Sequence, residues 1–486
     1  MRQAGRQAAW LLAGLTALRL LVAAVTPLSP DEAYYWVWSR ALAPGYLDHP
    51  PMVALWIWAG TAVAGDGPLG VRLLAPLAAA LGSVLLAAAG EDLFPGRRAG
   101  IVAAALLNAT LLFGVGSVTM TPDTPLLLFW TATLWALARL LRTGNGAWLV
   151  IGGAAAGLAL DSKYTAALLA PAVVLWLLAS PRLRHWLWNW QAAFGLVVAA
   201  RLFLPVFDWN RAHGWASFVK QGGRTGDWRT ADMAQHVGEL VAGQIGFATP
   251  LLAVLFASGV WLVARAAWRG DEAAALLAWL TLLPAAVFLQ HALGDRVQAN
   301  WPSVIYPAAA LAAAGWAAGW VRWQRPATAL GLAVTALVWV QAASGALPLP
   351  RILDPTLMRV GGWQELARAV DQVATQDDAQ FVASDNYGHA ALLARLLPAS
   401  LPVLGVDTRW ALFDLPDARP QIAGRHGLLL RSSRRADPPG GADWSQMTPV
   451  ATLARSRSGV VAETYRLYRV TGRAGSEPIV ALPRPR

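Results

Sequence analysis

Residues 147–180 read AWLVIGGAAAGLALDSKYTAALLAPAVVLWLLAS, two apolar runs separated by the polar junction Asp161-Ser162-Lys163. A hydrocarbon core takes about 20 apolar residues per helix, fewer where a helix is broken inside the protein. The stretch is either one over-long span or two short ones, and the choice sets the side of the membrane on which every later connection lies. Taken as two, 147–160 and 164–180, the runs join nine further spans at 8–28, 68–90, 99–118, 124–142, 191–207, 243–264, 273–292, 303–320 and 328–348. Short cytoplasmic loops collect Arg and Lys. With the N-terminus inside, five short loops on one side hold Arg97 and Arg98, Arg139 and Arg142, Arg182 and Arg184, Arg265 and Arg269, and Arg322 and Arg325. Fusing the two runs reverses every later loop and destroys that agreement. About eleven transmembrane helices are therefore expected, with the tail from Arg351 outside.

The composition agrees. Of 486 residues, 56% are apolar and 14% charged, with mean hydropathy +0.43, so lipid is the main solvent for this chain. A net charge of +11 would suit nucleic acid if the basic residues formed a stripe with interleaved aromatics, but they are scattered between apolar spans. Cysteine is absent, which removes disulfides, thiol nucleophiles and thiolate metal sites. The N-terminal apolar stretch after Arg2 and Arg6 is too long for a signal peptide, and Ser29-Pro30-Asp31-Glu32 offers no small-residue cleavage site, so it reads as an uncleaved first span. The tail loses the long apolar runs and alternates helical stretches such as 363–370 with strand-like runs such as 380–383 and 427–430. The expected fold is an all-α polytopic membrane bundle over 1–350 with a soluble extracytoplasmic α/β domain over 351–486.

Chemistry-bearing residues gather in the outward segments. The first outer loop, 29–67, holds Ser29-Pro30-Asp31-Glu32 and then Asp48-His49-Pro50-Pro51. Ser29 as N-cap, Pro30 at the first helical position and Glu32 at the third spell a capping box, which accounts for the residue types on structural grounds alone. The functional alternative makes Asp31 and Glu32 an acid/base or metal-binding pair, with a helix N-terminus keeping Asp31 ionised and fit to act as a base. Thr121-Pro122-Asp123 repeats the device before the fourth span, and capping explains it equally well. Capping does not explain why Asp31, Asp48 with His49, and Asp123 all emerge on the outer face. Lys163, one of only two lysines, adds a cation at the head of a short helix, where a charge is costly enough to suggest function. Carboxylates to remove a proton and a cation to hold a departing phosphate suit sugar transfer from a polyprenyl phosphate to a hydroxyl.

Several runs carry a family resemblance: Pro-Asp-Glu-Ala-Tyr-Tyr-Trp at 30–36, Gly-Tyr-Leu-Asp-His-Pro-Pro at 45–51, Thr-Pro-Asp-Thr-Pro at 121–125 and Ser-Lys-Tyr-Thr at 162–165. Pro205 through Trp209-Asn210 to His213 and Trp215, and Asn300-Trp301-Pro302 with Tyr306, continue it. The chain resembles the GT-C superfamily of membrane glycosyltransferases that includes protein O-mannosyltransferases and aminoarabinose transferases, and is most similar to its rhizobial lipopolysaccharide galacturonosyltransferase-like branch. The resemblance implies that Asp31 is the general base on the acceptor hydroxyl and that the anomer is inverted. Glu32 would orient the site against Arg72, Asp123 would be the family's second acid, and Lys163 with Tyr164 would face the lipid phosphate. In the aminoarabinose relatives a Lys stands where His49 stands here, so phosphate contact by His49 depends on its protonation. His213, Arg224 and Arg229 are weaker candidates for the same anion, and Asn300 and Trp301 are substrate-side candidates.

The expected function is thus an inverting, polyprenyl-phosphate-sugar-dependent glycosyltransferase acting on a glycolipid of the lipid A or lipopolysaccharide kind, in a bacterial inner membrane. Its N-terminus would be cytoplasmic and its tail domain periplasmic. The alternatives are a protein O-glycosyltransferase of the same fold and, in another class, a lipid transporter or flippase. No cofactor is asserted. A divalent cation is left open, since His291 and Asp295 are too few to define a metal site. No Walker or dinucleotide fingerprint implies a nucleotide donor. Arg19, mid-span in the first helix, is expected to face the bundle and pair.

Overall fold

The structure, a computed structural model, describes residues 2–223, 230–316, 319, 321–435, 444–473 and 478–485. Two compact units emerge: Met1–Leu20 with Pro44–Val53 and Leu74–Ala336, and Leu21–Ala43 with Ala54–Leu73 and Leu337–Arg486. The second unit thus begins its last segment at Leu337 and recruits parts of the first outer loop.

Among the described residues, seven helices are long and apolar enough to cross a membrane: Gly5–Val25, Pro68–Leu93, Asp123–Thr143, Trp190–Ala212, Pro250–Trp268, Glu272–Ala292 and Val321–Ser344. They overlap seven of the eleven expected spans. The other four are shorter or interrupted, for local reasons. The expected span at 99–118 breaks into Ala99–Asn108 and Leu111–Gly116. The polar groups freed at that break are reused: the Thr110 hydroxyl accepts from Phe113 N at 3.2 Å, and Asn108 Nδ2 donates to Ser83 Oγ at 2.8 Å. Such side-chain substitution lets a non-helical turn persist at membrane depth. Residues 303–320 begin as the 3-10 turn Trp301–Ile305 and become the helix Tyr306–Trp316. The expected span at 243–264 moves C-terminally, because Pro250 starts a new helix after Thr249, whose φ of 74° ends Met233–Ala248.

At the decisive junction, Ala147–Leu160 ends at Asp161 and the chain resumes as the 3-10 turn Tyr164–Leu168 and the helix Leu169–Ala179. Lys163 between them is extended. The two runs are therefore separate helices. In the first unit, Ala147–Leu160 packs closely on Trp190–Ala212 at Gly153, where a Cβ would stand 2.2 Å from the Gly195 carbonyl oxygen. Small residues at a helix crossing allow this approach. The unit's core runs through Leu106, Trp130, Leu134, Trp176, Leu252, Leu277 and Leu311. Arg19 is buried as expected, but among the described residues its guanidinium nitrogens have no hydrogen-bond partner; it lies over the Phe113 ring, 5.5 Å from its centroid. A cation–π contact replaces the expected ion pair.

Residues 29–67, expected as the first outer loop, contain the helices Pro30–Arg40 and Met52–Ala64, and the expected second span opens with the short helix Pro68–Arg72. The tail forms a six-stranded sheet of β1 (Val382–Ser384), β2 (Val403–Val406), β3 (His426–Ser432), β4 (Trp444–Arg457), β5 (Val460–Gly472) and β6 (Ile479–Ala481), in the order β4-β5-β3-β1-β2-β6. β1 pairs in parallel with both β2 and β3, and β4, β5 and β6 run antiparallel to their neighbours. The central strands are buried throughout, as strands covered on both faces are. The helices Trp363–Gln376 and Tyr387–Leu396 complete this α/β layer, and Ser458-Gly459, both with positive φ, close the β4–β5 hairpin.

His389, on Tyr387–Leu396, packs 5.2 Å from both Trp363 and Tyr465. Burial holds its pKa down at about 4, against an opposing pull from Glu463, with Arg455 adding to the depression. The unfolded chain binds a proton near the usual 6.5 that the folded chain refuses, so stability is full above that pH and falls as pH drops toward about 4. His389→Phe is expected to flatten the thermal midpoint across that window, and a wild-type midpoint independent of pH there would contradict this assignment.

Candidate active site

In the second unit, the sequence at 29–32 folds as its chemistry requires. Glu32 N donates to Ser29 Oγ at 3.3 Å while Ser29 N donates to Glu32 Oε2 at 3.0 Å, a complete capping box. The Glu32 carboxylate is then clamped by Arg72, with Nε to Oε1 at 2.5 Å and Nη2 to Oε2 at 2.7 Å. Both side chains are wholly buried. The rest of the guanidinium donates to the carbonyls of Thr26 at 2.7 Å, Pro27 at 2.9 Å and Ala23 at 3.2 Å. Arg72 thereby ties the end of the first helix to the start of Pro30–Arg40, and Glu32 is its counter-ion.

Asp31 differs in kind. Its side chain is 44% exposed, and its neighbours include Arg359 Nη1 at 3.8 Å and the Tyr387 hydroxyl at 3.5 Å. One acid of the pair is committed to architecture while the other stands at a helix N-terminus in reach of solvent. Behind it, Tyr34 packs against Tyr387 at 4.4 Å and edge-on against Trp410 at 5.6 Å, so aromatic rings fix the helix that carries Asp31.

The first unit carries a separate constellation. Lys163 Nζ donates to Asp123 Oδ1 at 2.8 Å, and Asn300 Nδ2 to Asp123 Oδ2 at 2.8 Å. Three segments far apart in sequence, each singled out by its motif, thus meet on one carboxylate. The neighbouring Tyr164 hydroxyl lies 2.9 Å from Ser217 Oγ and accepts from Asn210 Nδ2 at 3.4 Å. Asp48 is paired with Lys220 at 2.5 Å, and Gln221 Nε2 donates to its carbonyl at 2.7 Å. The His49 carbonyl accepts from Tyr46 N at 3.3 Å, closing the turn. Gly45 lies beneath the Trp209 indole, where a Cβ would stand 2.8 Å from the ring, which explains the glycine of the 45–51 motif. Met52 N donates to the Asp161 carbonyl at 3.0 Å, tying that loop to the junction.

His213 folds back on its own helix, Nδ1 2.7 Å from the Trp209 carbonyl and ring stacked on Trp209 at 4.2 Å. Trp301 lies 5.6 Å from His291, and Asp295 Oδ1 accepts from Arg296 N at 2.7 Å. Arg224 and Arg229 lie outside the described residues. Among the described residues, no three His, Asp or Glu side chains form a metal-binding group. Sequence reasoning passed over Tyr387, Arg359 and Lys220. The polar run Asp385-Asn386-Tyr387 directly after a strand-like stretch, and the rarity of lysine, were the available signals.

Residues 48–209 match the family described as dolichyl-phosphate-mannose-protein mannosyltransferase. The chain is 26% identical over 405 residues to the lipid A galacturonosyltransferase RgtD of Rhizobium johnstonii, covering 79% of this chain and 82% of that protein. It also superposes on ArnT from Cupriavidus metallidurans in the apo state with a TM-score of 0.65, over 96% of this chain and 98% of that one, at 15% identity. The chain has the GT-C fold. ArnT bound to undecaprenyl phosphate gives a TM-score of 0.62 at 15% identity, over 95% and 97% of the two chains, a likeness of fold. The chain therefore has the helical bundle and C-terminal sheet domain of that fold, with the 30–36 motif at its capping box and the 121–125 and 162–165 motifs joined through Asp123 and Lys163.

Proposed function

We propose that the protein is a GT-C membrane glycosyltransferase that moves a sugar from a polyprenyl-phosphate donor to a hydroxyl of a lipid A-type glycolipid, with inversion, at the outer face of a bacterial inner membrane. Residues 1–350 would form the transferase domain and 351–486 a periplasmic domain, with the N-terminus cytoplasmic. The observation that carries this reading is the division of labour at 31–32: Glu32 is locked by Arg72, and Asp31 is left half-exposed at a helix N-terminus. The relative named for lipid A galacturonosyl transfer supports the acceptor class, and the undecaprenyl phosphate in the ArnT structure supports the donor class.

In the proposed reaction, Asp31 takes the proton from the acceptor hydroxyl as its oxygen attacks the anomeric carbon. The bond from that carbon to the phosphate oxygen breaks, and polyprenyl phosphate leaves with the electron pair. Lys163, held in place by Asp123, supplies positive charge to the departing phosphate, and Tyr164 lies beside it. Asn300 steadies Asp123 from the other side. Lys163→Met is expected to raise the donor KM by roughly tenfold through loss of one charge-assisted contact, with the acceptor KM unmoved; steady-state kinetics with a soluble short-chain donor reads this, and an unchanged donor KM would remove Lys163 from the phosphate. Mass spectrometry of envelope glycolipids from cells with and without the gene product tests the function as a whole. A glycolipid heavier by one sugar only when the protein is present is expected, and identical glycolipid profiles would overturn the proposed reaction.

A further inference from the structure

The tail sheet contains a topological switch point. From the central β1 the chain passes through Tyr387–Leu396 to β2 on one side, then returns to β3 on the other, and all three strands are parallel. In open α/β sheets, ligands bind in the crevice outside the carboxyl ends of the strands at such a point. Here that crevice is a cavity of about 390 Å³. Asp385 directly follows β1, Asp407 directly follows β2, and Ser432 ends β3; all three line it. The volume suits a polar headgroup of one or two sugar rings and is small for acyl chains.

Three carboxylates, Asp385, Asp407 and Glu463, and two guanidinium groups, Arg409 and Arg435, line the crevice, and Arg431 and Arg434 pair with those carboxylates from outside the lining, so the cationic surplus belongs to the cluster as a whole. Asp385 is bridged by Arg435 at 2.9 Å and Arg431 at 3.2 Å, Asp407 by Arg409 at 3.3 Å, and Glu463 accepts from Ser432 Oγ at 2.5 Å. Carboxylates held in place by arginines present fixed acceptors for ring hydroxyls. Arg434, 3.6 Å from Glu463, adds to the surplus of guanidinium over carboxylate. The wall shared with the candidate base is Tyr387. One side of its ring is covered by the Arg409 guanidinium at 3.9 Å, its hydroxyl lies 3.5 Å from Asp31 Oδ1, and Gly388 after it sits so close to Pro30 that a Cβ would stand 2.7 Å from the Pro30 Cβ. A ligand seated in this crevice is one side chain away from the Asp31 carboxylate.

We infer that the switch-point crevice of the tail domain binds the anionic sugar headgroup of the acceptor and presents its hydroxyl to Asp31. The shared chemistry is a saccharide bearing a phosphate or a carboxylate, with Arg409 and Arg435 on the anion and Asp385, Asp407 and Glu463 on the hydroxyls. This assignment rests on the proposed transfer reaction for the identity of the ligand as acceptor, whereas the binding itself is measurable without turnover.

Two measurements on the full-length protein in detergent test it. In the first, glucosamine phosphate, galacturonic acid and uncharged glucosamine are titrated separately and followed by ligand-observed NMR. Binding of the phosphosugar, the carboxylated sugar or both is expected, and the stronger of the two identifies the anion. Glucosamine alone, or none of the three, would overturn the inference even if transfer is intact. In the second, Arg435→Ala, at a half-exposed side chain, is expected to weaken that binding and raise the acceptor KM by roughly tenfold, with the donor KM and the thermal midpoint unmoved. Arg409→Gln is expected to do the same. Unchanged acceptor KM in both, with active wild-type protein, would overturn the inference and leave the transfer reaction standing. An inactive wild type that still binds the anionic sugar at Arg435 would overturn the reaction and leave the crevice.

Discussion

Asp31→Asn is expected to lower transfer by at least about a hundredfold, the low end of what a positioned general base contributes, while leaving the protein folded and inserted. The substitution keeps the size of the side chain and removes only its ability to take a proton. It spares the capping box and the Arg72 clamp, neither of which uses the Asp31 carboxylate. The loss should therefore fall on kcat, with both KM values nearly constant. Full activity in this variant, assayed with purified donor and acceptor, would move the base elsewhere.

Arg72→Met should instead act on the fold. It leaves the Glu32 carboxylate buried without its counter-ion, which costs about 3–5 kcal/mol for a buried pair broken on one side. It also strips the carbonyls of Ala23, Thr26 and Pro27 of a donor. A large drop in thermal midpoint and poor recovery of monodisperse protein are expected. Glu32→Gln combined with Arg72→Met removes both charges and should regain part of the loss, since the two side chains act as one unit. An Arg72→Met protein as stable as wild type yet inactive would show that the pair serves chemistry rather than architecture.

Local sequence made some of this legible and tertiary contacts hid the rest. The capping box at 29–32 is written in consecutive residues, so its geometry was readable, as was the break at 161–163, where polar residues interrupt two apolar runs. The role of Glu32 was only half readable: its partner is 40 positions away, and the full burial that makes the pair structural depends on packing. Capping alone accounted for the residue types at Thr121-Pro122-Asp123, whereas the Asp123 oxygens accept from Lys163 and Asn300, the latter 177 positions away. Pro250 advertised a break that hydropathy alone smoothed over. Met52–Ala64 was hidden because it is shorter than a span and directly follows the Pro50-Pro51 pair. In the tail, strand-like runs marked β1 and β3, but the crossover that makes a switch point depends on strand order, which no local pattern encodes.

The most direct test reconstitutes the purified protein in vesicles with a polyprenyl-phosphate donor carrying a labelled sugar and with lipid A as acceptor. The predicted result is label covalently joined to lipid A with inverted anomeric configuration, release of one polyprenyl phosphate per sugar transferred, and loss of both in Asp31→Asn. Movement of intact labelled donor between leaflets, with no new glycosidic bond, would contradict it and mark the protein as a transporter.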